Sequence, residues 1–380
     1  MTPRWLIIAL LWTLATIQVT FAADGSKRTV LAAHDGAKSF QLAADTVRGS
    51  SHVISTVREV VREFDRTEDD YIEPPHYELC VEMRATRNYE DFILSSNGQS
   101  IMFSPDQPIK VGPYLGWRWI FLGTTFDLRN IRLFGNEGKR EFDFSIYSSQ
   151  VGVDLTYRRT GSDYKLRDVR LGYNIDGSQF EDVPYDGVSV GLTGINAYYI
   201  FNHHHFSYPA AFSPGTVQKI SCGSWLAGAG FTKNTLDLDH DKLIRVLKQY
   251  EASGCEVKLD SGMMFNRIEY NDFSLSAGYA YTWVIRKFLI FCASGQMALS
   301  YKTSLGKMAD EKEGFSFNKV NIDGLGRFAL VYNNMKWYAG LSAIVRSKNY
   351  HTSRFTANNI YGTLNAYIGY NFYLKKRYRK

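Results

Sequence analysis

Three consecutive imidazoles, His203-His204-His205, are the residues best suited by type to hold zinc, copper or nickel. In an extended strand adjacent side chains point to opposite faces, so only His203 and His205 could converge and a third ligand would have to come from elsewhere. The triplet is therefore not assigned as a metal site. A hydrolase at a membrane rim needs a nucleophilic hydroxyl, a histidine beside it and a third group that orients the ring. Beyond residue 22 and outside the triplet the chain has His34, His52, His76, His240 and His351. Only His351, beside Thr352 and Ser353, is placed for such a role, and an exposed loop histidine is the favoured reading. No catalytic, cofactor-binding or metal-ligating residue is assigned, and no cofactor is expected; enzymatic activity stays open, with its absence the preferred reading.

Other groups bear on chemistry less directly. Cys80, Cys222, Cys255 and Cys292 contain no CxxC and are too sparse for a stapled scaffold, so one disulfide or none is expected. Pro209 and Pro214 bracket Ala210-Ala211-Phe212, and because proline removes ladder donors this stretch is read as a turn between strands, with a short plug-like excursion as the alternative. The tail from Lys375 to Lys380 is a solvated basic end. The net charge of +6 is not gathered into long cationic runs, which excludes nucleic acid as a partner.

The elements that must position these groups follow a period of two. Phe273, Leu275, Ala277, Tyr279, Tyr281, Trp283 and Ile285 alternate with Ser274, Ser276, Gly278, Ala280 and Thr282. After a tight Arg286-Lys287 turn the pattern resumes from Leu289 to Tyr301; a polar loop is expected from Ser304 to about 313. Further strands surround Phe328, Leu341 and Ile368, with a turn at Asn333-Asn334 and a loop of about ten residues from Ser347. Such strands exceed the usual soluble length of about 5 to 6 residues, and their connections alternate short and long, as in a transmembrane barrel. Extended backwards, the alternation places strands near 77–86, 89–104, 108–128, 140–160, 164–173, 187–205 and 216–232, and a helix within residues 239–251. The total is about twelve, with ten to fourteen allowed. Leu275, Tyr279, Phe291, Leu341, Ile368 and Phe372 are expected to face lipid. Arg118, Asp154, Arg158, Lys302, Arg327, Lys336 and Arg346 are expected to face the lumen, as a network that closes it or as the lining of a small channel. The last strand, ending Tyr370-Asn371-Phe372-Tyr373-Leu374, is expected to pair with the first, near Tyr77 to Ala85.

Composition agrees with this architecture. Of 380 residues 45% are apolar, 22% charged and 15% aromatic, which excludes disordered and collagen-like chains. The organisation read from the sequence is a signal peptide over 1–22, a periplasmic leader over 23–75 with an amphipathic helix across residues 51–66, a β-barrel domain over 76–376 and a basic tail over 377–380. The leader sequence has a charged start at Arg4, a short apolar run and Thr20-Phe21-Ala22 before Ala23.

Several longer segments carry a resemblance: Gly116-Trp117-Arg118-Trp119-Ile120-Phe121-Leu122-Gly123, Glu141 to Gln150 with Tyr157-Arg158-Arg159-Thr160-Gly161, Phe206 to Ser213, and Asn359-Ile360-Tyr361-Gly362 with Asn371-Phe372. Over about residues 70 to 378 the chain resembles an uncharacterised family of outer-membrane-type β-barrel proteins of Bacteroides-group bacteria, a domain of unknown function. The resemblance implies a Gram-negative cell-envelope barrel and supplies no reaction.

The sequence therefore predicts an all-β, antiparallel transmembrane barrel of about twelve strands with a short N-terminal helix and one helical insertion. Its expected place is the outer membrane, in contact with lipid and lipopolysaccharide and inserted by the barrel assembly machinery. Its role is structural or small-solute passage; a barrel enzyme acting on membrane lipid or lipopolysaccharide and a soluble exported β-sandwich binding module are the alternatives. Oligomeric state is not legible.

Overall fold

The computed structural model describes residues 67–117, 120–123, 125–127, 140–160, 163–172, 177–249, 258–308, 315–351 and 354–379. The expected leader helix across 51–66 and the signal peptide lie outside the described residues, as does Arg118. In chain order the strands begin with β1 (Ile72–Glu73), β2 (Tyr77–Ser96), β3 (Gln99–Pro105), β4 (Ile109–Trp117), β5 (Ile120–Gly123) and β6 (Phe126–Asp127). They continue with β7 (Arg140–Tyr147), β8 (Val151–Arg159), β9 (Tyr164–Arg170), β10 (Val183–Tyr185), β11 (Val188–Ile200) and β12 (Val217–Gln218). The remainder are β13 (Cys222–Leu238), β14 (Phe265–Arg286), β15 (Leu289–Met308), β16 (Phe315–Asn333), β17 (Trp337–His351) and β18 (Thr356–Leu374). Two α-helices interrupt them, α1 (Tyr208–Phe212) and α2 (His240–Gln249).

One large antiparallel sheet contains all the strands except β1 and β12, which pair with each other. Taking β5 and β6 as one broken stave, the wall runs β5/β6, β4, β2, β18, β17, β16, β15, β14, β13, β11, β8, β7, which is twelve staves among the described residues. The final strand pairs with the first along nearly its whole length, from Thr356 opposite Ser95 to Leu374 opposite Tyr77. Among the described residues no pairing joins β7 to β5 or β6, so the hydrogen-bonded ring is not complete there. Side-chain contacts nevertheless cross the interior: Asp154 on β8 meets Arg327 on β16, five strands away in the sheet order. Only a strongly curled sheet brings such positions together.

Alternation decides which face meets lipid. Phe273, Leu275, Tyr279, Trp283 and Ile285 of β14 are exposed on the outer face, and Asp272, Ala280 and Thr282 are buried on the inner one. Leu341, Ile368 and Phe372 also face outward, and Phe291 is half-buried on that face. Aromatic side chains border the apolar band at both edges. Trp225 packs on Tyr279 and Trp283 on Phe291 toward the short-turn end, and Phe231 packs on Phe273 toward the other. From Trp283 to Phe273 is ten residues, about 33 Å along the strand, and a tilt of about 40° reduces this to about 25 Å along the axis, the height of a membrane band.

Several boundaries differ from those the pattern suggested. The expected strands over 77–86 and 89–104 are instead one long β2 and a separate β3, joined by an Asn97-Gly98 hairpin. Both turn residues have positive φ, 47° and 80°, as a two-residue turn matched to strand twist requires. The stretch expected as one strand over 108–128 is broken into β4, β5 and β6. The strand expected over 187–205 ends at Ile200, and that over 216–232 begins at Cys222. The polar loop expected from Ser304 belongs to β15 as far as Met308, and where a loop was expected from Ser347, β17 continues to His351. Strand β9 leaves the membrane wall: it pairs with β3 and β10 in a blade at the long-loop end. Helix α2 forms where expected. Asp239 accepts a hydrogen bond from the Lys242 amide at its start, and its Leu243 and Leu247 are buried.

Leu341→Arg and Ile368→Arg are each expected to destabilise the folded barrel by about 2 to 4 kcal/mol, whereas Asn271→Arg, above the apolar band on the same outer face, should cost about 0 to 1 kcal/mol. Urea titration of refolded protein in lipid vesicles measures this. Equal costs at all three sites would contradict the lipid-facing assignment.

Candidate functional site

The interior is filled in three layers. At the short-turn end the connection from β11 to β13 folds inward, with Phe206, Tyr208, Ala210 and Ala211 buried among wall residues. The bracketing prolines therefore do not make a simple turn between strands: Ser207 caps a single helical turn, its hydroxyl accepting from the Ala210 amide, and Pro209 occupies the start of that turn, where no donor is needed. Three wall contacts hold this plug. The Tyr208 hydroxyl donates to Ser294 Oγ (2.7 Å), Tyr367 donates to the Ala211 carbonyl (3.3 Å), and Asn333 Nδ2 donates to the Pro214 carbonyl (2.9 Å).

Buried ions make the middle layer. The Asp154 carboxylate accepts from Arg327 and from Ser145 Oγ (2.7 Å), with Arg346 Nη2 at 3.9 Å. The Arg327 guanidinium lies over Tyr198 at 4.8 Å and Tyr208 at 5.9 Å from the ring centres. Higher up, Lys302 Nζ donates to Asp323 Oδ1 (2.8 Å) and to the Asn349 carbonyl (2.5 Å), and Lys348 Nζ donates to Asp272 Oδ2 (2.7 Å) and Thr232 Oγ1 (3.0 Å). Nearer the plug, Glu82 accepts from Arg84 Nε (2.6 Å) and the Tyr338 hydroxyl (3.0 Å). A single buried charge carries a desolvation cost of several kcal/mol, so carboxylates and cations that meet across the lumen hold the wall segments to one another.

An apolar core closes the long-loop end. Leu94, Phe103, Tyr185, Leu243, Phe265 and Phe355 are among its members, drawn from the wall, the blade of β3, β9 and β10, and α2. Asp260 ties this cap together, accepting from Ser96 Oγ (2.5 Å) and the Gly262 amide (2.9 Å), and those donors, Ser96 foremost, hold its carboxyl below the ordinary value. Asp106 is likewise lowered, chiefly by Lys165.

Of the expected lumen charges, Asp154, Arg158, Lys302 and Arg327 are buried inside and Arg346 joins them. Lys336 does not: it sits exposed in the tight turn before β17, with its ammonium 5.9 Å from the Tyr370 ring centre, because the strand it was counted on begins one residue later. Asp272, Asp323, Lys348, Glu82 and Arg84 went unremarked as lumen groups. The signal was present, since Asp272 has the opposite parity to Phe273, and carrying the β16 alternation back past Gly326 puts Asp323 inside.

The histidines occupy other settings. His203 to His205 lie in a turn after β11, so the strand argument does not apply to them. His205 contacts Glu68 Oε2 (3.0 Å) and Asn202 Oδ1 (2.9 Å), and His203 contacts the Ile200 carbonyl (3.2 Å). Among the described residues no group of three or more His, Cys, Asp or Glu side chains is placed to hold a metal ion. His351 ends β17, and its Nδ1 lies 2.7 Å from Thr356 Oγ1, beside a groove of about 410 Å³ that Ser95, Ser100 and Arg354 also line. Cys80, Cys222 and Cys292 are free thiols.

Solved structures similar to this chain include the outer membrane protease OmpT from Escherichia coli, at 7% identity and TM-score 0.36, covering 78% of this chain and 97% of that one. The translocator domain of the autotransporter NalP from Neisseria meningitidis matches at 10% identity and TM-score 0.32, covering 87% and 98%. The outer membrane protein OprG from Pseudomonas aeruginosa matches at 10% and 0.22, covering 79% and 98%. No curated protein matches the sequence. The model of one family, described as Domain of unknown function (DUF4421), matches residues 65–372, and the chain belongs to that family.

Proposed function

We propose that the protein is a structural barrel of the outer membrane of a Bacteroides-group bacterium, with a closed lumen, which anchors a packed cap on the outer side. Export depends on cleavage of the signal peptide over 1–22, and insertion depends on the barrel assembly machinery. The short-turn end, where both ends of the wall lie, faces the periplasm, and the long-loop cap faces outward. The observation that carries this reading is the α1 plug, hydrogen-bonded from Tyr208 to Ser294 beneath the bridge between Asp154 and Arg327. An aqueous passage needs a continuous polar path, and here the plug and the outer core interrupt it at two levels. The enzyme alternative has weaker support: His351 has a hydroxyl partner in Thr356, and among the described residues no carboxylate pairs with its ring.

Purified full-length protein in planar lipid bilayers is expected to give no steady conductance steps. A variant with residues 206–216 replaced by a short Gly/Ser linker tests the plug, and should conduct more than the parent. Stable ionic steps from the unaltered protein would overturn the closed-lumen reading in favour of small-solute passage.

A further inference from the structure

The segment just before β2 grips the plug. The plug loop enters through His203 to Ser207 and leaves through Thr216 to Lys219, and Gln218 ties these two stems together: its Oε1 accepts from the Ser207 amide (2.9 Å) and its Nε2 donates to the His205 carbonyl (2.6 Å). Residues 68–73 cross both stems. On the entering side the Glu68 amide donates to the His204 carbonyl (3.0 Å), the Glu68 carboxylate meets His205 Nε2 (3.0 Å), and the centre of the Tyr71 ring lies 4.2 Å from that of the imidazole. On the leaving side β1 pairs with β12, Ile72 opposite Gln218 and Glu73 opposite Val217, and the Lys219 amide donates to the Tyr71 carbonyl (2.8 Å).

This attachment is separate from the barrel ladder. Strands β1 and β12 form a two-stranded sheet of their own, so parting them breaks no hydrogen bond of the wall. A pair of strands this short is marginal by itself, which leaves the decision to side chains. Ile72 is wholly buried and anchors the segment. His205 gives it a charge. Asn202 Nδ2 donates to the Gly223 carbonyl (2.8 Å), which turns its Oδ1 toward His205 Nδ1 (2.9 Å) as an acceptor. Both ring nitrogens therefore face acceptors, and only the imidazolium donates from both. Of the other titratable groups around it, Tyr71 packs on the ring, His204 precedes it in the turn, the Cys222 thiol donates to the His205 carbonyl (3.0 Å), and Lys219 Nζ is bound to the Asp69 carbonyl.

We propose that residues 68–73 are a strap that latches the plug in the lumen, and that protonation of His205 tightens the latch. The device rests on the closed-lumen reading above and adds the element that controls it. The plug leaves only after the strap has released both stems. Because the attraction between His205 and Glu68 exists only while the imidazole is protonated, the latch is tighter in acid and loosens as pH rises through the histidine titration.

Two native thiols report departure of the plug, since Cys80 and Cys292 are buried in one cluster with Phe206, Tyr208 and Ala211. Full-length protein in dodecyl maltoside micelles is treated with methyl methanethiosulfonate, and peptide mass spectrometry of the folded, heat-modifiable band reads modification at each cysteine. Both should react slowly in the unaltered protein. Ile72→Ala, which removes the buried anchor, should raise both rates by about tenfold or more. Glu68→Gln should raise them by about two- to fivefold at a pH of about 5.5 and leave them equal to the parent's at a pH of about 8.5, where the parent's imidazole is neutral as well. Comparing variant with parent at one pH cancels the reactivity of the thiol itself. Fast modification in the unaltered protein would overturn the plug reading, whereas equally slow modification in all three proteins would leave the plug in place and overturn the strap. A ratio of Glu68→Gln to parent that is the same at both pH values would overturn the role of His205 protonation.

Discussion

A chain lacking Asn359 to Leu374 is expected to yield no folded, protease-resistant membrane protein, whereas one lacking only Lys376 to Lys380 should assemble nearly as the full chain does. The difference follows from the ladder. Strand β18 pairs with β17 from His351 opposite Thr356 to Trp337 opposite Tyr370, and on its other edge with β2 from Ser95 to Tyr77. Removing it exposes both neighbouring edges to hydrocarbon, where each unsatisfied backbone group costs several kcal/mol and no water can substitute. The residues after Leu374 add a backbone bond from the Lys375 amide to the His76 carbonyl, a short 3-10 turn, and surface contacts of Tyr378 with His76 and of Arg379 with Tyr373 and the Leu374 carbonyl, none of them part of the ladder. Heat-modifiable gel migration and trypsin resistance of the two truncations after refolding into vesicles make the comparison. A folded, resistant product from the chain without β18 would show that the wall does not need the β18–β2 seam.

Asp154→Ala is expected to destabilise the barrel by about 3 to 5 kcal/mol, because it strands the Arg327 guanidinium, wholly buried, without its carboxylate. Replacing both partners tests whether the loss reflects the pair itself or the orphaned charge. The double variant Asp154→Leu with Arg327→Met should recover most of the loss, since apolar groups of similar size avoid the desolvation cost. Recovery is expected to be incomplete, because Arg346 also lies 3.9 Å from Asp154 and Arg327 stacks on Tyr198. Urea unfolding followed by tryptophan fluorescence reads both variants. A single variant with an unchanged unfolding midpoint would mean that the ion pair contributes nothing and that the lumen relaxes around a lone arginine.

The two experiments probe information of different range. Pairing of the last strand with the first was expected near Tyr77 to Ala85, because a twelve-stave wall with both ends on one side must close there, and the register runs beyond that to Ser95. Partnership between Asp154 and Arg327 could not be read from spacing. Both were expected inside, but 173 residues separate them, and which inward charge meets which depends on the stagger of the four strands between β8 and β16. The plug shows the same limit. Pro209 and Pro214 announced that the chain leaves the sheet, and nothing local says whether such a segment turns back into solvent or fills the lumen, since its burial depends on walls contributed by β7, β15 and β18.

By itself, then, the sequence determined the strand period, the outward face of Leu275, Tyr279, Leu341 and Ile368 and the helix near residues 240–249. These are local properties: alternation is set by the two-residue repeat of an extended backbone, and helix α2 by an Asp cap and leucines one turn apart. Its total of twelve equals the number of staves because the splitting of 108–128 and of 140–160 (into β7 and β8) offsets the merging within β2 and the departure of β9. Tertiary structure alone decided that β2 runs unbroken through Arg87 to Ser96, that β9 leaves the wall for the outer blade, that Lys336 lies at a turn, and that the interior is packed at both ends around an ionic middle. Each of those depends on what stands across the barrel from a residue. Opposite walls are brought together by curvature and register accumulated over the whole sheet, and no window of the sequence contains that sum.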